Sequence, residues 1–143
     1  MNSNSLFIAF AVALSAAIAP ISGCSSNRNS LIGQGIVSVE TKPSKNVRIL
    51  WTDVYRDGED IIVYGAVQRC SHTSYPLKTH VDVTILTPDG TIVQEVRTQD
   101  IYVPKHISGK GINWERFEVH FTDIPENFRV QAVVHSALDE IKE

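Results

Sequence analysis

His80-Val81-Asp82-Val83-Thr84-Ile85-Leu86 decides the fold, because apolar and polar side chains alternate along this stretch. Successive side chains of a β-strand point to opposite faces of a sheet, so a period of two predicts a strand that is buried on one face. The buried face would carry Val81, Val83 and Ile85, and the solvent face His80, Asp82 and Thr84. The next residues, Thr87-Pro88-Asp89-Gly90, suit a type I turn because proline stands second and glycine last.

The same period recurs along the rest of the chain. The further predicted strands are Ile36–Val39, Val47–Tyr55, Ile61–Val67, Thr91–Tyr102, Trp114–Phe121 and Phe128–His135. Asp57-Gly58 is a hairpin signal between two of them. Strands and turns at this spacing predict an all-β fold, a seven-stranded antiparallel immunoglobulin-like β-sandwich over residues 34–137. The tail, residues 138–143, is predicted as one helical turn or a frayed end.

An apolar segment from Leu6 to Ile18 precedes this domain. Its length of about 13 residues is too short to cross a bilayer, which needs about 20. The small residues that follow it, together with Pro20, are typical of a secretory signal. We therefore predict a signal segment over residues 1–23; the alternative is an N-terminal anchor or a buried helix.

Ile21-Ser22-Gly23-Cys24 places two small residues directly before a cysteine. This stretch resembles the lipobox of bacterial lipoproteins. The resemblance implies cleavage before Cys24, which leaves 120 of the 143 residues, and attachment of lipid to Cys24. It also implies the bacterial cell envelope, and Ser25 after the cysteine goes with an outer-membrane location facing the periplasm. Residues 24–33 would form the lipidated tether, since their polar composition suits a flexible linker.

The net charge and the cysteine count exclude two classes of protein. The formal net charge is −3 with both signs interspersed, whereas a nucleic-acid binder normally carries a basic stripe, so we expect no nucleic-acid partner. If Cys24 carries lipid, Cys70 has no second cysteine within the chain and a disulfide framework is not expected. Three interpretations of Cys70 stay open. It is a partly buried residue at a strand end, a free thiol that forms an intermolecular disulfide, or a nucleophile activated by His72.

Three patterns between Ile62 and Val134 resemble the FxLYD-type envelope domain, a small immunoglobulin-like sandwich often found behind lipoprotein signals. They are Gly65-Ala66-Val67 at a strand start, the segment from Val81 to Gly90 with its Asp-Gly turn, and Phe117-Glu118-Val119 late in the chain. Where that family tends to have an aromatic residue before its turn, this chain has Leu86-Thr87-Pro88. The resemblance implies the sandwich fold and assigns no activity.

The histidines are the main candidates for a metal site, because imidazole is a common transition-metal ligand. The chain has His72, His80, His106, His120 and His135, and no two of them show the spacing of a zinc motif. His80, His120 and His135 alternate with core residues on predicted strands. We therefore expect scattered surface histidines and no metal site; two of them would meet only if their strands are neighbours at matching levels.

The acidic, aromatic and glycine residues give no catalytic pattern. Asp57, Glu59 and Asp60 fall at a hairpin tip, which we expect to be solvated rather than to hold calcium. Gly65 inside a strand predicts a bulge or close packing by Trp51 or Trp114. The strand aromatics are expected in the core rather than at an interface; they are Trp51, Trp114, Tyr55, Tyr64 and Tyr102. The sequence contains no serine-hydrolase, phosphate-loop or zincin motif.

These observations predict a non-enzymatic protein with no catalytic residues, no bound metal and no cofactor. We expect it to interact with membrane lipid through acylated Cys24 and with an unidentified envelope protein. That protein would bind at an exposed sheet edge or at residues 105–111, since edge pairing needs no sequence motif. The alternative is a periplasmic ligand- or metal-binding lipoprotein.

Overall fold

The computed structural model describes residues 29–70, 76–104 and 113–140, which contain eight strands and one short helix. The strands are β1 Ser38–Lys42, β2 Val47–Asp57, β3 Asp60–Arg69, β4 Leu77–Leu86, β5 Ile92–Arg97, β6 Ile101–Val103, β7 Trp114–Phe121 and β8 Arg129–Ser136, and the helix is α1 Ala137–Glu140. The all-β prediction is confirmed. Among the described residues, no helix has the length and apolarity needed to span a membrane. The predicted signal segment, Cys24 and residues 105–111 lie outside the described residues.

The strands form two sheets. A three-stranded sheet has the order β2-β3-β7 and is antiparallel throughout. A five-stranded sheet has the order β1-β8-β4-β5, with β6 also paired to β4. β1 pairs with β8 in parallel, so the prediction of a purely antiparallel fold is wrong at that edge.

The prediction of seven strands is wrong because the segment from Thr91 to Tyr102 forms two strands, β5 and β6, which both pair with β4. Thr98 lies at the break between them. Its Oγ1 accepts a hydrogen bond from Val81 N–H at 2.9 Å, and its own N–H donates to the Val81 carbonyl oxygen at 2.9 Å. The backbone groups of Val81 therefore stay paired across the break between the two strands.

The hydrophobic core lies between the two sheets. The alternation predicted for β4 is confirmed, since Val81, Val83 and Ile85 are fully buried. They belong to one buried cluster with residues of the other sheet and of β8, which include Val63, Val67, Phe117, Phe121, Val130 and Val134. The outer faces of both sheets are left for contacts with other molecules.

A β-bulge in β2 determines which side chains reach the outer face of the three-stranded sheet. Val47 and Val54 are both fully buried although they lie seven residues apart. In a regular strand this odd separation would place them on opposite faces. The bulge between Ile49 and Trp51 adds one residue to β2, so that Val47 and Val54 lie on the same face. Beyond it, Trp51 is 38 % exposed.

Gly65 of β3 packs too closely against its neighbours to carry a side chain. A Cβ atom there would lie 2.7 Å from the ring of Phe117 and 2.6 Å from the carbonyl oxygen of Trp51. The close packing predicted for Gly65 is therefore present, but the contacts are the Phe117 ring and the Trp51 main chain rather than an indole.

Turns and the N-terminal segment complete the described fold. Gly58 and Gly90 have φ of 62° and 95°, so both predicted Asp-Gly turns use the left-handed region that glycine tolerates. Ser30 forms an isolated bridge with Tyr55, and Leu31 is buried. Ser30 and Leu31, which belong to the predicted tether, therefore contact the domain.

Candidate functional site

Two of the predicted surface histidines meet on the outer face of the five-stranded sheet. β4 and β8 are neighbours, and their register pairs His80 directly with His135. The two rings are stacked, with centroids 5.0 Å apart and planes inclined by 20°. The expectation of scattered histidines is therefore wrong for this pair.

Asp82 lies beside the two histidines, because it follows His80 by two residues and so shares its face of β4. Its Oδ2 is 3.3 Å from Nε2 of His135. One donor atom from each of His80, Asp82 and His135 lies within 4.8 Å of the other two. We call these three residues the histidine–aspartate cluster.

Arg97 of β5 binds Asp82 from the edge of β4 that is opposite to β8 and His135. Its Nε donates to Oδ1 at 2.7 Å, and its Nη2 donates to Oδ2 at 3.1 Å. Burial raises the pKa of the Asp82 carboxyl, but the hydrogen bond and charge of Arg97, with further help from the two histidines, outweigh burial and lower that pKa. Asp82 is therefore held as an oriented carboxylate.

The backbone around His135 is fixed by buried polar side chains. Thr79 is buried, and its Oγ1 donates to the carbonyl oxygen of His135. The next residue, Ser136, is fully buried and donates from Oγ to Asp139 Oδ2 at 2.7 Å. Asp139 Oδ2 also accepts from Ser136 N–H at 3.3 Å, the pattern of a capping box at the start of α1. These bonds limit how far His135 can move.

The histidine–aspartate cluster is accessible to solvent through a cleft beside His80. His80 lines a cleft of about 220 Å³ together with Lys78, Arg97 and Asp100. Lys78 Nζ is paired with the Asp100 carboxylate at 2.9 Å, so the positive charge of Lys78 is partly neutralised. A small ligand can reach the imidazole of His80 through this cleft.

The outer face of the three-stranded sheet carries a different group, which we call the aromatic cluster: Trp51, Tyr64, Trp114 and Arg116. The Trp51 and Tyr64 rings meet edge to face, with centroids 4.9 Å apart and planes inclined by 65°. The Arg116 guanidinium carbon lies 6.0 Å from the Tyr64 centroid and 5.5 Å from the Trp114 centroid. These distances are typical of cation–π contacts.

The prediction that the strand aromatics lie in the core is confirmed only for Tyr55. Tyr55 is buried, whereas Trp51 and Tyr102 are exposed. Tyr64 and Trp114 are half-buried. Most of the tryptophan and tyrosine side chains on the strands therefore lie at the surface, whereas Phe117 and Phe121 belong to the core.

A groove of about 480 Å³ lies beside Trp51 and Tyr64; its other lining residues are Ser30, Ile32, Thr52, Asp53 and Tyr55. Ser30 Oγ donates to Asp53 Oδ1 at 2.5 Å across it. The Oγ1 of Thr52 is buried and has no hydrogen-bond partner among the described residues.

The groove adjoins the open edge of the three-stranded sheet. β2 is an edge strand, and its two ends are covered by backbone contacts. Leu31 N–H donates to the Val54 carbonyl at 2.8 Å, and Ser44 N–H donates to the Val47 carbonyl at 2.9 Å. Within the described ranges, no strand pairs with the middle of this edge, residues 48–53.

Cys70 and His120 belong to neither cluster. Cys70 is exposed directly after β3, so its interpretation as a partly buried residue is wrong. An intermolecular disulfide stays a prediction, and His72 lies outside the described residues, as does His106. His120 is exposed on β7, with Nε2 2.8 Å from Glu118 Oε1. The predicted hairpin tip with Asp57 and Glu59 is exposed.

No family model, curated protein or solved structure matches this chain. The geometry of the two outer faces therefore carries the functional argument.

The sequence did contain part of the signal for the histidine–aspartate cluster. His80 and Asp82 lie on the solvent face of the most regular predicted strand, and His135 alternates with core residues in the same way in the last strand. What was missing was the pairing of β4 with β8, which are separated by β5, β6 and β7 along the chain.

Proposed function

We propose that this chain is a lipid-anchored lipoprotein of the bacterial cell envelope whose domain binds another envelope protein without catalysing a reaction. The anchor is Cys24, on the strength of Ile21-Ser22-Gly23-Cys24 and the apolar segment before it. Acylated Cys24 inserts into membrane lipid, and Ser25 favours the outer membrane, with the domain facing the periplasm. The proposed binding role is supported mainly by the aromatic groove beside the uncovered middle of β2.

We further propose that the sandwich is of immunoglobulin-like type, as in FxLYD-type domains. Immunoglobulin domains place strands A, B and E in one sheet and strands C, F and G in the other. If β2 is taken as strand A, then β3 and β7 stand in the places of B and E, and β4 and β8 stand in the places of C and F. β1 then occupies the position of strand G but runs parallel to its neighbour β8.

The residue types of the groove suit a protein partner. Tryptophan, tyrosine and arginine are the residues that most often dominate the binding energy of protein interfaces. Trp51 and Tyr64 line the groove, and Arg116 lies against the Tyr64 ring. An extended segment that adds to the middle of β2 would gain main-chain hydrogen bonds and would place its side chains on these rings. The partner is therefore proposed to contribute such a segment.

The position of the groove fits an anchored domain. Ser30 and Ile32 line it, and the five residues between Cys24 and Ser30 span at most about 20 Å when fully extended. With Cys24 in the membrane, a partner bound at β2 is held within about 20 Å of the lipid surface. Holding a second protein at that distance is a function that needs no catalytic group.

Photo-crosslinking in cells tests the interface with the full chain. A photoreactive residue replaces Leu50, which is exposed on β2, and in a matched control it replaces Ile92, which is exposed on β5. We expect one protein adduct from position 50, its loss when Trp51→Ala is added, and no such adduct from position 92. Equal adducts from both positions, or an adduct that survives Trp51→Ala, would rule out this interface. An adduct to lipid alone would mean that the face contacts the membrane instead.

Replacement of the lipobox cysteine tests the anchor separately. We expect Cys24→Ser to move the protein from the membrane fraction to the periplasmic fraction and to abolish incorporation of labelled palmitate. Cys70→Ser is the control and leaves both unchanged. If the Cys24→Ser protein stays in the membrane fraction, the anchor is wrong whatever the crosslinking shows.

A further inference from the structure

We propose that the histidine–aspartate cluster is a binding site for a divalent transition-metal ion, Zn²⁺ or Cu²⁺. The ligands are one imidazole nitrogen each from His80 and His135 and one carboxylate oxygen from Asp82. Two imidazoles and a carboxylate form a donor set that suits both ions. The site lies on the opposite sheet from the groove and does not depend on the proposed partner.

The geometry needs only a small adjustment to hold such an ion. Bonds of about 2.0–2.1 Å in a tetrahedral arrangement place neighbouring ligand atoms about 3.3 Å apart. His135 Nε2 and Asp82 Oδ2 are already 3.3 Å apart, and all three donor atoms lie within 4.8 Å of one another. A rotation of the His80 side chain closes the remaining difference, and the cleft beside it gives the room.

The surroundings orient the ligands before an ion arrives. Arg97 Nε holds Asp82 Oδ1 at 2.7 Å, which turns Oδ2 toward His135. The hydrogen bond to Oδ1 holds the carboxylate in place, so that Oδ2, which accepts only the longer bond of 3.1 Å from Nη2, is available to the ion. Arg97 is therefore a positioning residue, in the role that partners of metal-binding carboxylates commonly have. Its positive charge also weakens cation binding, so we expect affinity in the micromolar range rather than tighter.

The stacked arrangement of the imidazoles distinguishes this cluster from an ordinary ion pair. His120 and Glu118 on the other sheet also form a histidine–carboxylate contact, at 2.8 Å. That pair brings together one imidazole and one carboxylate, and both side chains are exposed. His120 is therefore the matched control for the two histidines of the cluster.

Calorimetric titration of the full chain with ZnCl₂ and with CuCl₂ tests the site. We expect saturable binding of one ion per chain, weakened about tenfold or more by His80→Gln or by His135→Gln. Asp82→Asn weakens it to a similar degree, and His120→Gln leaves it within twofold. Thermal unfolding of each variant shows whether the fold is kept.

Electron paramagnetic resonance of the Cu²⁺-loaded wild-type chain gives a readout that needs no variant. We expect hyperfine coupling to two imidazole nitrogens, reduced to one in His80→Gln or His135→Gln. The proposal is overturned if the wild-type chain shows no saturable binding at micromolar metal. It is equally overturned if binding is unchanged in both glutamine variants, because the ion would then be held by other residues.

Discussion

The outer faces of the two sheets belong to one small sandwich but offer opposite kinds of contact. On the three-stranded sheet, Arg116 lies over the rings of Tyr64 and Trp114. On the five-stranded sheet, Arg97 forms two hydrogen bonds with the Asp82 carboxylate. The first arrangement presents aromatic area, which suits a large partner, whereas the second orients donor atoms, which suits a small ion.

Differences in strand regularity produce this contrast. β4 and β8 pair without a break from Thr79–Ser136 to Leu86–Arg129, so His80 and His135 are brought level with each other. β2 is interrupted by the bulge before Trp51, which changes the face on which the following side chains lie. The regular register of β4 and β8 therefore brings polar side chains together, whereas the bulge in β2 places a large aromatic side chain on the outer face.

The largest expected effect comes from the core that both faces share. Phe121 is 1 % exposed between the sheets, so Phe121→Ala removes a fully buried ring and leaves a cavity. We expect the free energy of unfolding to fall by about 3–5 kcal/mol. Urea unfolding followed by tryptophan fluorescence and by far-UV circular dichroism measures it. Trp51 and Trp114 both lie on the three-stranded sheet, so different midpoints for the two signals would show that the faces unfold separately.

A smaller substitution can perturb one face and spare the other. Gly65→Ala places a Cβ 2.6–2.7 Å from Trp51 and Phe117, which forces β2 and β7 to move. We expect a loss of about 1–3 kcal/mol and a shift of tryptophan fluorescence, with the NMR signals of the His80 and His135 rings unchanged. Urea unfolding and histidine-ring spectra measure the two effects.

Gly33→Ala is the matched control for this glycine. Its Cβ would lie 3.5 Å from the nearest atom, Ser30 Oγ, an ordinary contact. We expect a change within about 0.5 kcal/mol. Movement of the His80 and His135 signals in Gly65→Ala would contradict the independence of the two faces.

The regular parts of this comparison could be predicted from the sequence. The alternation from Val81 to Ile85 predicts which side of β4 is buried, and the Asp-Gly turns predict the hairpin ends. The same alternation places His80 and Asp82 on one outer face. Each of these inferences uses residues that are close together in the chain, where side-chain periodicity is sufficient.

The parts that depend on long-range pairing could not be predicted. His80 and His135 meet because β4 lies beside β8, and period-two alternation says nothing about which strands become neighbours. The sequence predicts Trp51 in the core, because a bulge has no clear sequence signal. The odd separation of Val47 and Val54 is the one indication of the bulge, and it is informative only once both residues are known to be buried.

The smallest expected effect is a pH dependence of the free energy of unfolding, which differs between the two faces. The pKa of Asp82 is lowered in the folded chain, so its carboxylate stabilises the fold above the ordinary aspartate pKa of about 3.9, and this contribution is lost as the pH falls through the folded value. Because Arg97 is mostly exposed, we expect Asp82→Asn to cost at most about 1 kcal/mol at neutral pH.

Urea midpoints at about pH 7, 5 and 3 measure this difference, which should stay nearly constant between the first two and be smaller at the third. Glu118→Gln removes the same charge from an exposed carboxylate of the three-stranded sheet and should change the midpoint little at any of these values. A difference for Asp82→Asn that does not decrease at all between about pH 7 and about pH 3 would mean that its carboxylate charge does not stabilise the five-stranded face. The contrast between the faces would then rest on side-chain shape and not on ionisation.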